Sequence, residues 1–322
     1  MSVLAVWASV SDGQLPVLTK TVIDDGDNGP GEIAIGRPYV PVPPLVKRLY
    51  CVEMNGDLVE YRYDPNSPTS WGKQVILAGV YYNGVTIGPG RNEACERMYC
   101  TKRNQLYEVW CEGGTWHENL LLELGDPWLG YVVIGPGRND GVNRVYASST
   151  DPRIYELTYV GPGPQDWHIE IVDLNMSCED IGPGQNDGVN RIYGVGGHQG
   201  DEQWTVYELT YDPGPGAFIR RPVYTWDWQE DPWPSQLVGV TLAGARGDGK
   251  MRIYYKDMYC GINEISYETN EWVNRSVASN RPIEYYYGAG MHGWEGPFAW
   301  GVIWKEDIGP FFLFVGGEDL VE

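Results

Sequence analysis

An arginine and a tyrosine two residues apart recur along the chain, as Arg48/Tyr50, Arg97/Tyr99, Arg144/Tyr146, Arg191/Tyr193 and Arg252/Tyr254. Each pair is followed by a glutamate: Glu60, Glu108, Glu156, Glu208 and Glu264. A guanidinium fork beside a carboxylate offers donors and acceptors to adjacent hydroxyls. The same pair can instead be a cross-strand ion pair worth roughly 0.2–1 kcal/mol. Aromatic residues follow at fixed offsets. Tyr63, Tyr159, Tyr211 and Tyr267 stand three places after the glutamate, and Trp116 and Trp272 eight places after it. An aromatic face next to a polar pair suits the apolar side of a sugar ring, which an ion pair alone does not require.

These residues need short strands to hold them. Composition points that way, with Gly 42, Pro 23, Tyr 23 and Trp 14 among 322 residues and no Ala-, Leu-, Glu- or Lys-rich helical stretch. Ile134-Gly-Pro-Gly-Arg-Asn-Asp-Gly-Val-Asn-Arg-Val-Tyr returns as Ile181-Gly-Pro-Gly-Gln-Asn-Asp-Gly-Val-Asn-Arg-Ile-Tyr, and Ile87-Gly-Pro-Gly-Arg-Asn opens an earlier copy. Ile35-Gly-Arg-Pro and Leu242-Ala-Gly-Ala-Arg-Gly-Asp-Gly are degenerate copies. The period is about 47 residues, which with four short strands and no helix is a propeller blade. Each glutamate centres a strand, and Trp71, Trp116, Trp167, Phe218 and Trp272 open the strand after it. Arg144 and Glu156, across one hairpin, are expected to face each other.

Five full units and a decayed sixth, marked by Trp300, predict one all-β domain, a six-bladed β-propeller. The units run approximately 33–85, 86–132, 133–179, 180–237, 238–284 and 285–322, the last completed by 1–32. Pairing of residues 3–9 and 15–23 with strands near 298–304 and 311–315 would tie the ends together and remove an open edge.

Arg-x-Tyr, then Glu-x-x-Tyr, then Trp resembles the repeat of the fungal and bacterial fucose-binding propeller lectins. The best-matching stretch is Met251-Arg-Ile-Tyr-Tyr-Lys-Asp-Met-Tyr-Cys-Gly-Ile-Asn-Glu-Ile-Ser-Tyr-Glu-Thr-Asn-Glu-Trp. The resemblance implies a non-catalytic, multivalent carbohydrate binder whose Arg and Glu hydrogen-bond sugar between blades while Tyr and Trp pack on it. Carried over, Arg252, Glu264, Tyr267 and Trp272 form the leading site. Arg97, Glu108 and Trp116 come next, with Cys111 in the tyrosine's place. The remaining implied sites are Arg48, Glu60 and Tyr63; Arg144, Glu156 and Tyr159; and Arg191, Glu208 and Tyr211. The Gly-Pro-Gly-x-Asn-Asp-Gly element lies outside that pattern. The fourth unit departs from it too, with a longer hairpin at 195–205 and Phe218 in place of Trp.

No cofactor is expected. Asn139-Asp140-Gly141 and Asn186-Asp187-Gly188 could be calcium loops, but calcium takes roughly 6–8 oxygen ligands and each loop has a single aspartate, so turns are expected. His117, His168, His198 and His292 lack metal-ligand spacing, as do Cys51, Cys95, Cys100, Cys111, Cys178 and Cys260. No nucleophile elbow or phosphate loop appears. A net charge of −21 repels nucleic acid and anionic membrane surfaces. Partners are therefore expected to be glycans or, through the Trp-rich acidic segment 224–233, a protein bound at one rim, with enzymatic activity third. No basic region opens the chain, which suits either a cytoplasmic protein or a mature secreted form.

Overall fold

The computed structural model describes residues 2–9, 17–24, 30–36, 39–40, 48–53, 55–63, 71–163, 165–196, 203–227, 240–243, 250–256, 262–278, 300–305 and 309–316, with side chains for 48–53, 55–62, 72–163, 165–196, 205–225, 240–242, 250–255 and 263–275. Every regular element among them is a strand. The chain opens with β1 (Ser2–Ser9), β2 (Val17–Asp24), β3 (Pro30–Gly36) and β4 (Tyr39–Val40). There follow β5 (Arg48–Glu53), β6 (Leu58–Tyr63), β7 (Trp71–Leu77), β8 (Gly84–Gly88), β9 (Arg97–Lys102), β10 (Gln105–Glu112) and β11 (Thr115–Glu123). Next are β12 (Leu129–Gly135), β13 (Arg144–Ser149), β14 (Ile154–Tyr159), β15 (Trp167–Asp173), β16 (Asp180–Gly182), β17 (Arg191–Gly196), β18 (Gln203–Asp212) and β19 (Ala217–Asp227). The last are β20 (Val240–Ala243), β21 (Arg252–Lys256), β22 (Ile262–Glu268), β23 (Glu271–Ala278), β24 (Trp300–Lys305) and β25 (Gly309–Gly316).

Five sheets are antiparallel meanders taken in chain order: β3-β5-β6-β7, β8-β9-β10-β11, β12-β13-β14-β15, β16-β17-β18-β19 and β20-β21-β22-β23. The other is assembled from both ends of the described chain, in the order β24-β25-β1-β2, with Val3 paired to Val315 and Trp7 to Phe311. The strand β4 leaves its own unit and pairs in parallel with β10 of the next, Tyr39 against Cys111.

Strand position explains strand composition. The second strand of each unit is covered on both faces, so β13 and β17 are buried throughout and, after their opening arginine, read as runs of Val, Ile, Tyr, Ala, Gly and Ser rather than alternation. Fourth strands such as β15 show a mixed pattern of exposure. The pairing of third and fourth strands slips by one residue at the same place in every meander, at Leu58/Val59, Leu106/Tyr107, Ile154/Tyr155, Val206/Tyr207 and Ile262/Asn263. A bulge there increases the twist of the outer strand. Gly113 and Gly114, with φ of 58° and 83°, make the two-residue turn between β10 and β11 that a left-handed backbone demands.

The core lies between sheets. Tyr50, Val52 and Leu58 of the first meander pack with Val85, Met98, Cys100 and Val109 of the second. Tyr99 and Leu106 pack in turn with Val132, Val145 and Leu157. The first strands lie side by side, β3 on β8, β8 on β12, β12 on β16, β16 on β20, β20 on β24 and β24 on β3. Ridge meets notch along this row. A Cβ on Gly135 would stand 3.0 Å from Ile181, and one on Gly182 3.2 Å from Leu242.

The unit limits expected at 33, 86 and 133 cut β3, β8 and β12, because the Ile-Gly motif marks the end of the first strand and the strand begins several residues earlier.

Candidate functional site

The repeated glutamates are the most buried charged groups in their units, Glu60, Glu108 and Glu156 at 0% exposure. The residue opposite each is the tyrosine of Arg-x-Tyr: Tyr50↔Glu60, Tyr99↔Glu108, Tyr146↔Glu156, Tyr193↔Glu208 and Tyr254↔Glu264. The expected facing of Arg144 and Glu156 is thus corrected. The hairpin tip takes up an unequal number of residues on its two arms, and the arginine reaches the carboxylate diagonally. Tyr50 and Tyr254 donate their hydroxyls to Glu60 and Glu264 at 2.8 Å, and Tyr99 to Glu108 at 3.1 Å. Burial and the facing carboxylate hold the Tyr99 and Tyr146 phenols well above their usual range.

The arginines do come to their glutamates. Arg48 donates to Glu60 at 2.8 Å, and Arg97, Arg144, Arg191 and Arg252 lie 3.4–3.6 Å from theirs. Asp140 grips Arg144 with both oxygens, at 2.8 and 2.7 Å, and Asp187 grips Arg191 at 2.9 and 2.7 Å. The hydrogen bond from Arg144 holds the Asp140 carboxyl down at about 2. These aspartates therefore orient the arginines, and they are engaged as ion-pair partners in the loops considered for calcium.

The aromatic residues belong one unit further along. Trp116 stands edge-on to Tyr50, Trp167 to Tyr99, Phe218 to Tyr146 and Trp272 to Tyr193, at centroid distances of 6.3, 6.0, 6.3 and 6.4 Å. Each is joined in its own unit by the tyrosine three places after the glutamate, where there is one: Tyr159 with Trp167, Tyr211 with Phe218, Tyr267 with Trp272. The structure accordingly separates the residues grouped as the leading site. Trp272, with Tyr267 beside it, stands against Tyr193 of the preceding unit, the residue opposite Glu208. Trp116 likewise stands against Tyr50 of the preceding unit, the residue opposite Glu60. The side chains of Tyr63 and Trp71 lie outside the described residues, as do residues 228–233 of the Trp-rich segment and 197–202 of the long hairpin.

Sequence reasoning passed over the fourth residue of Gly-Pro-Gly-x. Arg91 donates to Glu108 at 2.7 Å, and its guanidinium lies 4.7 Å from the centre of the Tyr159 ring. Arg138 donates to Glu156 at 3.0 Å and lies 4.9 Å from the Tyr211 ring. In the fourth unit Gln185 takes this place and its amide lies 2.9 Å from both Glu208 oxygens. The glycine before it has a steric reason: a Cβ at Gly90, Gly137 or Gly184 would stand 2.5–2.7 Å from the hydroxyl of Tyr99, Tyr146 or Tyr193. The asparagine after it is a latch. Asn92, Asn139 and Asn186 each bond the backbone N–H and carbonyl of the next unit, at Asn143, Asn190 and Met251. The signal was present in the spacing, since the motif precedes every Arg-x-Tyr of these units.

A second feature breaks the repeat. Glu179 and Asp180 stand on the first-strand side of the fourth unit, where Val132 and Val133 stand in the third. Asp180 accepts from Leu242 N–H at 2.7 Å and from the Thr241 hydroxyl at 2.8 Å, and Glu179 accepts from Val240 N–H. They anchor β20 to the fourth sheet. Burial pushes the Glu179 carboxyl up to about 7.

No family model matches the chain, and neither does any curated protein. Solved structures do. AofleA from Arthrobotrys oligospora aligns with a TM-score of 0.54 at 13% identity, over 88% of this chain and 79% of that one. A mutant of AofleA with three arginines changed to alanine aligns equally well, at 12% identity over the same shares. The periplasmic gluconolactonase PpgL of Pseudomonas aeruginosa aligns at a TM-score of 0.49 and 11% identity, over 86% of this chain and 83% of that one. At this identity the likeness to AofleA is one of fold.

Proposed function

We propose that the chain is a non-catalytic, lectin-like carbohydrate-binding propeller of six blades, the last closed by β1 and β2 of the N-terminal region against β24 and β25. The row of first strands that returns from β24 to β3 supports the closed ring. Its ligand sites lie at junctions between blades. One observation carries this reading: the aromatic pair of one blade meets the polar element of the blade before it, as Trp272, stacked with Tyr267, does where it stands edge-on to Tyr193, the residue opposite Glu208. A sugar presents hydroxyls on its edge and C–H groups on its face, and needs both kinds of partner at once. Several weak sites on one ring would act together on a multivalent surface.

A glycan array followed by calorimetry tests it. Binding of a defined sugar that is lost in Trp272→Ala supports the reading, and a protein that binds no glycan on the array ends it. A second reading, a scaffold for a protein partner, is favoured by Ile169 and Ile171 on the outer strand β15, 37% and 48% exposed.

A further inference from the structure

We infer that Arg91 and Arg138 are built-in occupants of their junctions, and that Gln185 leaves the junction between the fourth and fifth units as the one of these three that accepts a ligand. The inference deepens the carbohydrate reading and rests on it.

The three junctions share a frame: a glutamate facing a tyrosine, a flanking arginine, and an aromatic pair from the next sheet. They differ in what stands inside. Arg91 bonds both oxygens of Glu108, lies over the Tyr159 ring and reaches its hydroxyl at 3.3 Å. Its side chain is only 8% exposed. Arg138 likewise reaches both oxygens of Glu156 and lies over the Tyr211 ring, is 20% exposed, and bonds Glu170 as well. A planar donor group spanning a carboxylate and an aromatic face fills the place where a sugar edge and face would lie. Gln185 is shorter and neutral and engages Glu208 alone. Among the described residues no cation stands over Tyr267 or Trp272. Glu208 keeps Arg191 as its arginine partner, and burial raises its carboxyl above the usual range. A ligand's hydroxyls can displace the neutral amide without separating a buried ion pair, whereas entry at the other two junctions must break one. The occupant at x of Gly-Pro-Gly-x thus sets which junctions bind.

The test uses the full chain, methyl glycosides of fucose, galactose, mannose and glucose as calorimetric probes, and three substitutions that exchange occupants already present in the protein. Gln185→Arg is expected to weaken glycoside binding by about tenfold or more. Arg91→Gln and Arg138→Gln are each expected to add a binding site. Glycoside binding that ignores Gln185→Arg, or no added site in either Gln variant, overturns the inference while leaving the carbohydrate reading in place. A second measurement separates the two. Arg91→Ala is expected to gain thermal stability with ethylguanidinium to a greater degree than the native protein does. If no glycoside binds any variant but this rescue occurs, the occupant role stands and the carbohydrate reading falls. Absence of the rescue overturns the occupant role itself.

Discussion

Asn139 brackets the backbone of Asn190 in the neighbouring sheet, donating its amide to the carbonyl at 2.9 Å and accepting from the N–H at 2.6 Å. A side-chain amide here does what a strand edge would do, and adjoining sheets are joined without sharing a strand. Asn139 sits at φ 59°, a left-handed backbone that asparagine tolerates. Asn139→Gly keeps that backbone and deletes both bonds, so it is expected to cost about 1–2 kcal/mol in urea unfolding. Asn139→Ala should cost more, because it adds strain at positive φ.

The second glycine of Gly-Pro-Gly is predicted to be coupled to a tyrosine. An alanine Cβ at Gly137 would stand 2.7 Å from the Tyr146 hydroxyl, so Gly137→Ala should cost about 1–3 kcal/mol. Removing that oxygen with Tyr146→Phe should return part of the loss. A double-mutant cycle on melting temperature checks this, and additive effects would contradict it.

Glu156→Gln removes the negative charge from beneath Arg138 and Arg144. Breaking a buried pair costs roughly 3–5 kcal/mol, and the low end is expected because Asp140 still holds Arg144. Denaturant titration reads the loss directly. A loss well under 1 kcal/mol would show that the carboxylate is not the organising group of the junction.

Two carboxyls give opposite pH signatures. Glu179 has its folded pKa raised to about 7, so the native state holds the extra proton between the unfolded value and about 7. Its contribution to stability is present at acid pH and declines as pH rises through that window, and Glu179→Gln should flatten the decline. Asp140 is held at about 2, so its contribution is present above the unfolded value and fades as pH falls towards 2. Asp140→Asn should remove that fading. Melting curves of the two variants against the native protein between pH 2 and 8 distinguish these slopes.

The repeat length, the strand chemistry and the pairing of the chain's two ends were legible in the sequence, because a unit of about 47 residues imprints its period on every residue type it reuses. Register was not legible. Whether Arg144 or Tyr146 faces Glu156 depends on how the residues between Ser149 and Ile154 are shared out, and turn residues alone leave that open. The junctions were hidden for a different reason. When every unit carries the same aromatic at the same offset, Trp272 reads as the partner of Glu264 as readily as of Glu208, and only the packing of one sheet on the next decides. Arg91 and Arg138 were concealed inside a motif that turn chemistry already explained.

The sheet that joins β1 to β25 also sets an order of events at the ribosome. β1 is made long before one of its two neighbours, β25, which lies some three hundred residues later in the chain. Until β25 is made, that edge of the β1–β2 hairpin lacks its partner and is open to pairing with another nascent chain. Early truncation therefore does more than shorten the protein: it leaves a strand edge uncovered at one end and the opposite face of β3 without β24.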